Sequence, residues 1–410
     1  MAIRTEQIDV SFNLKLQKDL QEHEIICSYC ENNMIKSFKV RLEPNNKQNS
    51  LLFGCAGTGR WAYNFALAKI QEHYKETGKF LKDGEIRKQI TQLKKTDEFK
   101  WLNKYSASTI SQHVKDADNA YKKFFKGLSN FPKFKSKKKS KPSFYSRYDR
   151  ISFTLTHVQL EKIGKIKLSE YNRIPIGKTI KYMNPRVTFD GLNWYLSIAV
   201  ELENNINPIL INEKLGIDVG VKDLAIVSNG NVYKNINKSK TIKKLEKKLK
   251  RLQRKVSKKY LMNKQDKKFI KTNNIKKLEF EIQKVYKRLS NIRTDYIQKV
   301  STEIVKFKPS RIVMETLNIK DMMKNRHLSK AIQQQKLYEF KILLKYKSIR
   351  DGIEFIEADR WYPSSKTCSE CGYKKLKLSL GEREFICESC GCIIDRDLNA
   401  AVNLSQYEIA

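Results

Sequence analysis

Four cysteines near the C-terminus, Cys368, Cys371, Cys387 and Cys390, form two C-x-x-C pairs with fifteen residues between them. That spacing suits one zinc ion held tetrahedrally by four thiolates. Each pair is followed by a glycine ("CSECG", "CESCG"), the residue that a tight knuckle turn accepts most easily. Four protein ligands leave no open position, so such a zinc is structural. Cys392 is a surplus thiol, read as an ordinary strand residue, and Cys27 with Cys30 form a pair without an obvious partner. Seven of the eight cysteines lie in or beside C-x-x-C pairs, a pattern of metal binding rather than of disulfides in a large chain.

Three carboxylates suggest chemistry of another kind. Asp218 interrupts the apolar strand pattern "LGIDVG", Glu315 ends "RIVME", and Asp397 falls in the first turn of a final helix, "DLNAAVNLSQY". Each has a structural reading, since Asp395 and Asp397 can both serve a helix N-terminus and acids are common at strand ends. Their order argues for more. An RNase H-like sheet brings together an acid on a hairpin strand, an acid on a later strand and an acid at a final helix. Clustered carboxylates repel unless cations lie between them. Oxygen ligands suit two Mg²⁺ ions about 4 Å apart, with Mn²⁺ as a substitute, an arrangement that cleaves phosphodiesters in line.

The elements that must position these groups follow from periodicity. "IKSFKVRL" (35–42) alternates as a half-exposed strand, residues 51–128 carry helical stripes, and strand signals return over 151–202 with Asp190-Gly191 as a turn. This reads as a β domain interrupted by a helical one. "KLGIDVGVKDLAIVSNGNVY" is strand, turn, strand, with Asn229-Gly230 as a second hairpin signal. Residues 234–264 hold fourteen Lys and Arg against one acid, Glu246. Leu245, Leu249, Leu252 and Val256 there, and Leu278, Ile282, Val285, Leu289 and Ile292 further on, predict an antiparallel helical hairpin with a basic outer face. "RIVMETL" and "GIEFIEA" are short strands before the cysteine segment.

Charge narrows the partner. The chain carries 82 Lys and Arg against 44 Asp and Glu, a net charge of +38 that calls for a polyanion. The lysine-rich stretch 121–148 interleaves Phe124, Phe125, Phe131 and Phe134, which can stack on bases, although half or more are expected to pack in a core. No apolar run approaches the roughly 20 residues of a spanning helix, and the N-terminus lacks a signal-peptide core, so a soluble intracellular protein without a membrane partner is expected. "GCAGTG" (54–59) lacks the G-K-[ST] of a phosphate loop.

In order along the chain, "GIDVGVKDLAIVSNG", "IVMETLNIKDM", "WYPSSKTCSECG", "FICESCG" and "DRDLNAAVNL" resemble the RuvC-like half of TnpB, the transposon-encoded RNA-guided DNA endonucleases related to type V CRISPR effectors. "FPKFKSKKKSKPSF" and "CAGTGRWAYNFALA" resemble its N-terminal half. The resemblance spans roughly residues 35–405 and implies a multidomain α+β chain. A β-barrel wedge domain (35–50 and 129–205) would be interrupted by a helical recognition domain (51–128). An RNase H-like RuvC domain (206–361 and 396–410) would carry a zinc ribbon (362–395) that contacts target nucleic acid. Residues 1–34 depart from the family's usual start and form an extension. By the same resemblance Asp218, Glu315 and Asp397 are the catalytic triad holding Mg²⁺, and the four cysteines of the ribbon hold zinc. The implied partners are a guide RNA and target double-stranded DNA, in a bacterial cytoplasm. A compact type V CRISPR effector and a non-cleaving RNA-guided repressor remain alternatives. A DDE-type transposase also uses acids on this fold, but the placement of the ribbon argues against it.

Overall fold

The computed structural model describes residues 33–177, 179–203, 209–265, 268–379 and 381–408. They divide after Asn205 into two compact units. Among the described residues no helix is long and apolar enough to cross a membrane. Cys27 and Cys30 lie outside the described residues, as does the expected extension up to residue 32.

The first unit opens with β1 (Asn33–Glu43), whose Val40 and Leu42 point inward between charged neighbours. The chain then leaves the sheet through α1 (Asn46–Thr77), started by a capping box between Asn45 and Gln48. "GCAGTG" lies inside this helix, and so forms no phosphate loop. Helices α2 (Asp83–Leu93) and α3 (Ala107–Phe125) follow. Ala62, Ala66, Ile70, Ile86, Ile90, Ile110, Val114 and Ala117 stack at helical spacing into one core between these three. The chain returns as β2 (Ser143–Tyr145), β3 (Ser152–Phe153), β4 (His157–Leu160), β5 (Gly164–Leu168), β6 (Tyr182–Phe189) and β7 (Trp194–Glu203). The antiparallel order is β2-β6-β7-β1-β5-β4-β3. Phe144 of β2 and Phe153 of β3, from opposite edges, share one core with Val40 and Leu196. Residues of both edge strands and of α1, among them Leu52 and Cys55, therefore belong to one continuous core.

The second unit is built on β8 (Ile211–Val219), β9 (Asp223–Val227), β10 (Val232–Lys234), β13 (Pro309–Glu315) and β14 (Glu354–Ala358), in the order β10-β9-β8-β13-β14. The first three strands form an antiparallel meander, and β13 and β14 continue the sheet parallel to β8. Between the meander and β13 lie α4 (Lys240–Met262), the small ladder of β11 (Lys264–Gln265) with β12 (Lys268–Phe269), and α5 (Asn273–Lys306). Ile242, Leu249, Val285 and Leu289 zip the two helices together, with Leu245, Leu252, Ile282 and Ile292 alongside. Alternation along the strands then splits the sheet into two faces. Leu215, Ile217, Val219, Ile312 and Met314 pack on the C-terminal half of α5 and on Leu337, Phe340 and Leu344 of a later helix, Leu337–Arg350. The opposite face carries Gly216, Asp218, Val313 and Glu315, and receives the last helix.

Candidate active site and zinc ribbon

Strand register places two of the acids side by side. Parallel pairing of β8 and β13 runs to Ile217 opposite Met314, and Asp218 and Glu315 are the next residue on each strand. Neighbouring strands lie about 4.8 Å apart, so the two carboxylates leave one face at adjacent positions. Both are half-buried.

The third acid arrives on the last helix, Arg396–Ser405, whose N-cap Asp395 accepts hydrogen bonds from the Asp397 and Leu398 backbone N–H groups, each at 3.0 Å. This helix lies directly on β8. A Cβ built on Gly216 would stand 1.9 Å from the Ala401 carbonyl oxygen and 2.3 Å from the Ser405 nitrogen. Glycine is thus required there by close approach of two backbones, not by its dihedral freedom. Asp397, Ala401 and Ser405 recur every four residues along one face of the helix. Four helical residues rise about 6 Å and two strand residues about 6.6 Å. Lys214 Nζ pairs with Glu408 at 2.6 Å, so the chain beyond the helix lies toward the start of β8; the helix runs opposite to β8 and its Asp397 end lies toward Asp218.

Electrostatics agree with that placement. The Asp218 carboxyl is held well above the usual carboxylate range, first by burial, then by the negative charges of Glu315 and Asp397. Asp395 adds to this, and Arg396 acts the other way. Burial also raises Glu315. Such a cluster is costly when empty of cations and suited to binding them. The three carboxylates do not close on a single point. Among the described residues only the four cysteines bring three or more donor atoms within 4.8 Å of one another.

Those cysteines fit zinc. Cys368 Sγ lies 3.7 Å from Cys390 Sγ, and Cys371 Sγ lies 3.5 Å from Cys387 Sγ. Disulfides are excluded at these separations, whereas a tetrahedron with Zn–S bonds of about 2.3 Å has edges of about 3.8 Å. The knuckles repeat one another. Gly372 N–H donates to Cys368 O at 3.0 Å and Gly391 N–H to Cys387 O at 3.1 Å, with φ of 75° and 74° at the two glycines. Backbone N–H groups of Cys390 and Ser389 point at Cys387 Sγ and draw its thiol down to about 6. Cys392 is half-buried, immediately before the short strand Ile393–Asp395, and its carbonyl accepts from Cys387 N–H at 2.8 Å. If the four thiolates hold zinc, replacing Cys387 by Ser should release it and unfold the ribbon while the five-stranded sheet persists. Metal analysis with far-UV circular dichroism checks this, and a variant retaining a full complement of zinc contradicts it.

Sequence reasoning missed the residues that fasten the last helix. Asn399 and Asn403 are buried, and both donate amide hydrogens to the Thr367 carbonyl, at 2.7 and 2.6 Å. Arg396 Nη1 reaches the Ser379 carbonyl at 3.0 Å. The four-residue spacing of the two asparagines was visible, but their backbone partners, some thirty residues upstream, were not. The phenylalanines of 121–148 also differ from expectation, because Phe125, Phe131 and Phe134 are 58, 49 and 56% exposed. Phe124 and Phe131 meet edge to face with centroids 5.2 Å apart, so these rings cluster at the surface.

Comparison with known proteins places these features in a family. Residues 197–326 match a model described as "Probable transposase", residues 338–404 one described as "Cas12f1-like, TNB domain", and residues 34–79 one described as "Helix-turn-helix domain". The last of these stretches is β1 followed by a single long helix in this structure. A relative from Streptomyces pristinaespiralis named "Putative RNA-guided DNA endonuclease" is 30% identical over 373 residues, covering 90% of this chain and 88% of its own length. A relative from Escherichia coli K12 with the same designation, InsQ, is 28% identical and covers 90 and 91%. Among solved structures, the protein of a Cas12f1-sgRNA-target DNA complex shares the fold, with a TM-score of 0.56 over 91% of this chain and 99% of its own, at 13% identity. The chain belongs to the TnpB family of RNA-guided DNA endonucleases.

Proposed function

We propose that this protein binds a guide RNA, opens target DNA that pairs with it, and cuts the DNA at Asp218, Glu315 and Asp397. The observation that carries the reading is the meeting of these three acids at the end of β8 and β13 beneath the last helix. The strand order, with an antiparallel meander and two parallel strands, supports an RNase H-like nuclease core for 206–361 and 396–410. The carboxylates would hold two Mg²⁺ or Mn²⁺ ions, which supply an activated water and stabilise charge on the leaving oxygen. The chain's own part is to fix the spacing of the ligands and to keep the strands beneath them dry. The cysteine ribbon, 362–395, would hold one structural zinc and present target nucleic acid to the site.

Polyanion binding falls to the basic surfaces. Lys247, Lys250, Arg254 and Lys258 lie along α4 at spacings that share one face, opposite the leucine zipper that joins α4 to α5. The β-sheet of the first unit and its helices would serve as wedge and recognition domains. Coverage favours the transposon-encoded reading over a CRISPR effector, because the match to a Cas12f1 from Sulfoacidibacillus thermotolerans spans only half of that protein.

Sequencing RNA that copurifies with the protein, then replacing its variable end, tests the reading. Cleavage should follow the new sequence, and RNA affinity should fall steeply with salt. Neutralising the four α4 cations should lower the slope of log K against log salt by roughly 0.7 to 0.9 for each phosphate that is no longer neutralised. Cleavage that ignores the guide sequence would overturn the proposal.

A further inference from the structure

The last helix is held in place from the cysteine ribbon, and the side chain that grips it nearest to Asp397 and the cysteines is Asn399. We propose that Asn399 is a positioning residue, clamping the helix to the Cys368 knuckle so that Asp397 stands at the height of Asp218. The proposal rests on the nuclease reading above.

Asn399 is fully buried and both ends of its amide are used. Its Oδ1 accepts from Ser369 N–H at 2.9 Å, and its Nδ2 donates to Thr367 O at 2.7 Å. These backbone groups flank Cys368, a zinc ligand. One turn later Asn403 Nδ2 donates to Ser364 O at 2.7 Å and to Thr367 O at 2.6 Å. The Asn403 carbonyl in turn accepts from the Tyr362 hydroxyl at 3.0 Å. A primary amide carries its donor and its acceptor side by side, which matches the N–H of Ser369 and the C=O of Thr367.

Besides that grip, the start of the helix is held through Arg396, whose Nη1 reaches Ser379 O at 3.0 Å. The contact of the helix with β8 is Gly216 against the backbone of Ala401 and Ser405, which sets separation but offers few side-chain knobs against sliding. Leu404 locks into Val313, Ile356 and Ala358, two turns away from Asp397. Asn399 lies two residues from Asp397, where it fixes the first turns against the Cys368 knuckle, and the Arg396 N–H bond to Arg383 O at 2.8 Å adds to the attachment.

The test compares Asn399→Ala, Asn399→Asp and Asp397→Asn with the wild type, each as the full chain with guide RNA. Readouts are zinc content, RNA affinity, Mn²⁺ affinity by electron paramagnetic resonance, and cleavage rate against Mg²⁺ or Mn²⁺ concentration. The Asn399 variants should keep their zinc and bind RNA within about twofold of wild type, a structural indifference expected of a clamp. Their Mn²⁺ affinity should fall about tenfold, and cleavage should recover at high metal because the ligands themselves are intact. Asp397→Asn should not recover. If Asn399→Ala folds poorly, Asn403→Ala leaves the Asn399 pair in place and should show a smaller shift in the same direction. Wild-type metal dependence in the Asn399 variants sinks the clamp alone, as does loss of zinc with a rate that added metal does not restore. A wild type that binds no Mn²⁺ sinks the nuclease reading, and the clamp with it.

Discussion

Asp218→Asn should abolish cleavage of a matched target while leaving guide and target binding intact, and in Mg²⁺-free buffer that leaves the zinc in place it should make the folded protein more stable. Both effects come from the same carboxylate. If Asp218 is a shared ligand of two cations, its loss removes several kcal/mol of transition-state stabilisation, which corresponds to a rate loss of about a thousandfold or more. Glu315→Gln and Asp397→Asn should match it. Asp395→Ala is the control, since Asp395 caps the helix through two backbone N–H groups. That variant should lose about 1 kcal/mol of local stability and keep most of its activity.

The gain in stability follows from the sign of the shift. Burial, then Glu315 and Asp397, raise the Asp218 carboxyl well above its unfolded value. Between those two values the folded state binds a proton that the unfolded state has released, so stability falls as pH climbs past the ordinary carboxylate range. Asparagine carries no such penalty. Thermal melts in Mg²⁺-free buffer that leaves the zinc in place should show the variant's advantage growing from about pH 4 upwards, with the unfolded carboxylate value as the starting point. Added Mg²⁺ should reverse the order, because only the wild type gains stability from bound cations. Equal melting temperatures in that buffer at every pH, or cleavage by the variant, would remove Asp218 from the site.

What could be read from the sequence was local chemistry. The cysteine knuckles announce themselves within five residues each, and Asp218 stands out because an acid inside an apolar strand has no packing reason to be there. The zipper of α4 and α5 was legible because its leucines repeat at helical spacing, and the structure buries Leu249, Val285 and Leu289 together. What could not be read was whatever depends on a distant backbone. Asn399 and Asn403 look like ordinary helix residues until the Thr367 carbonyl is brought beside them. Interleaved phenylalanine and lysine fit either a core or a stacking surface, and periodicity did not separate the two before Phe125, Phe131 and Phe134 were seen exposed. Gly216 belongs to the same class, since only the helix across from it explains why it has no side chain.

Gly216→Ala carries the other large expected effect, and two physical effects disagree about its sign. Local propensity favours alanine over glycine in a strand interior by roughly 0.5 to 1 kcal/mol, since glycine loses more backbone freedom on folding. Packing opposes it. The new Cβ would fall 1.9 Å from Ala401 O, 2.3 Å from Ser405 N and 2.9 Å from the Leu404 carbonyl carbon. All three are backbone atoms, so no side chain can rotate away and the helix itself must lift. Overpacking of this kind costs about 1 to 3 kcal/mol, enough to outweigh propensity. Restoring ordinary contact requires a shift of about 1.5 Å, and displacing a reacting group by about 1 Å already costs on the order of a hundredfold in rate. The protein should therefore remain folded and keep its zinc, melt at a lower temperature, and cut about a hundred times more slowly. Gly220→Ala, on the turn after the same strand, is the control. Its nearest neighbour would be Asp223 O at 3.5 Å, an ordinary contact, so stability and rate should change little. A Gly216→Ala protein as stable and as active as the Gly220→Ala control would show that the helix does not rest on β8, and that Asp397 is not carried over Asp218.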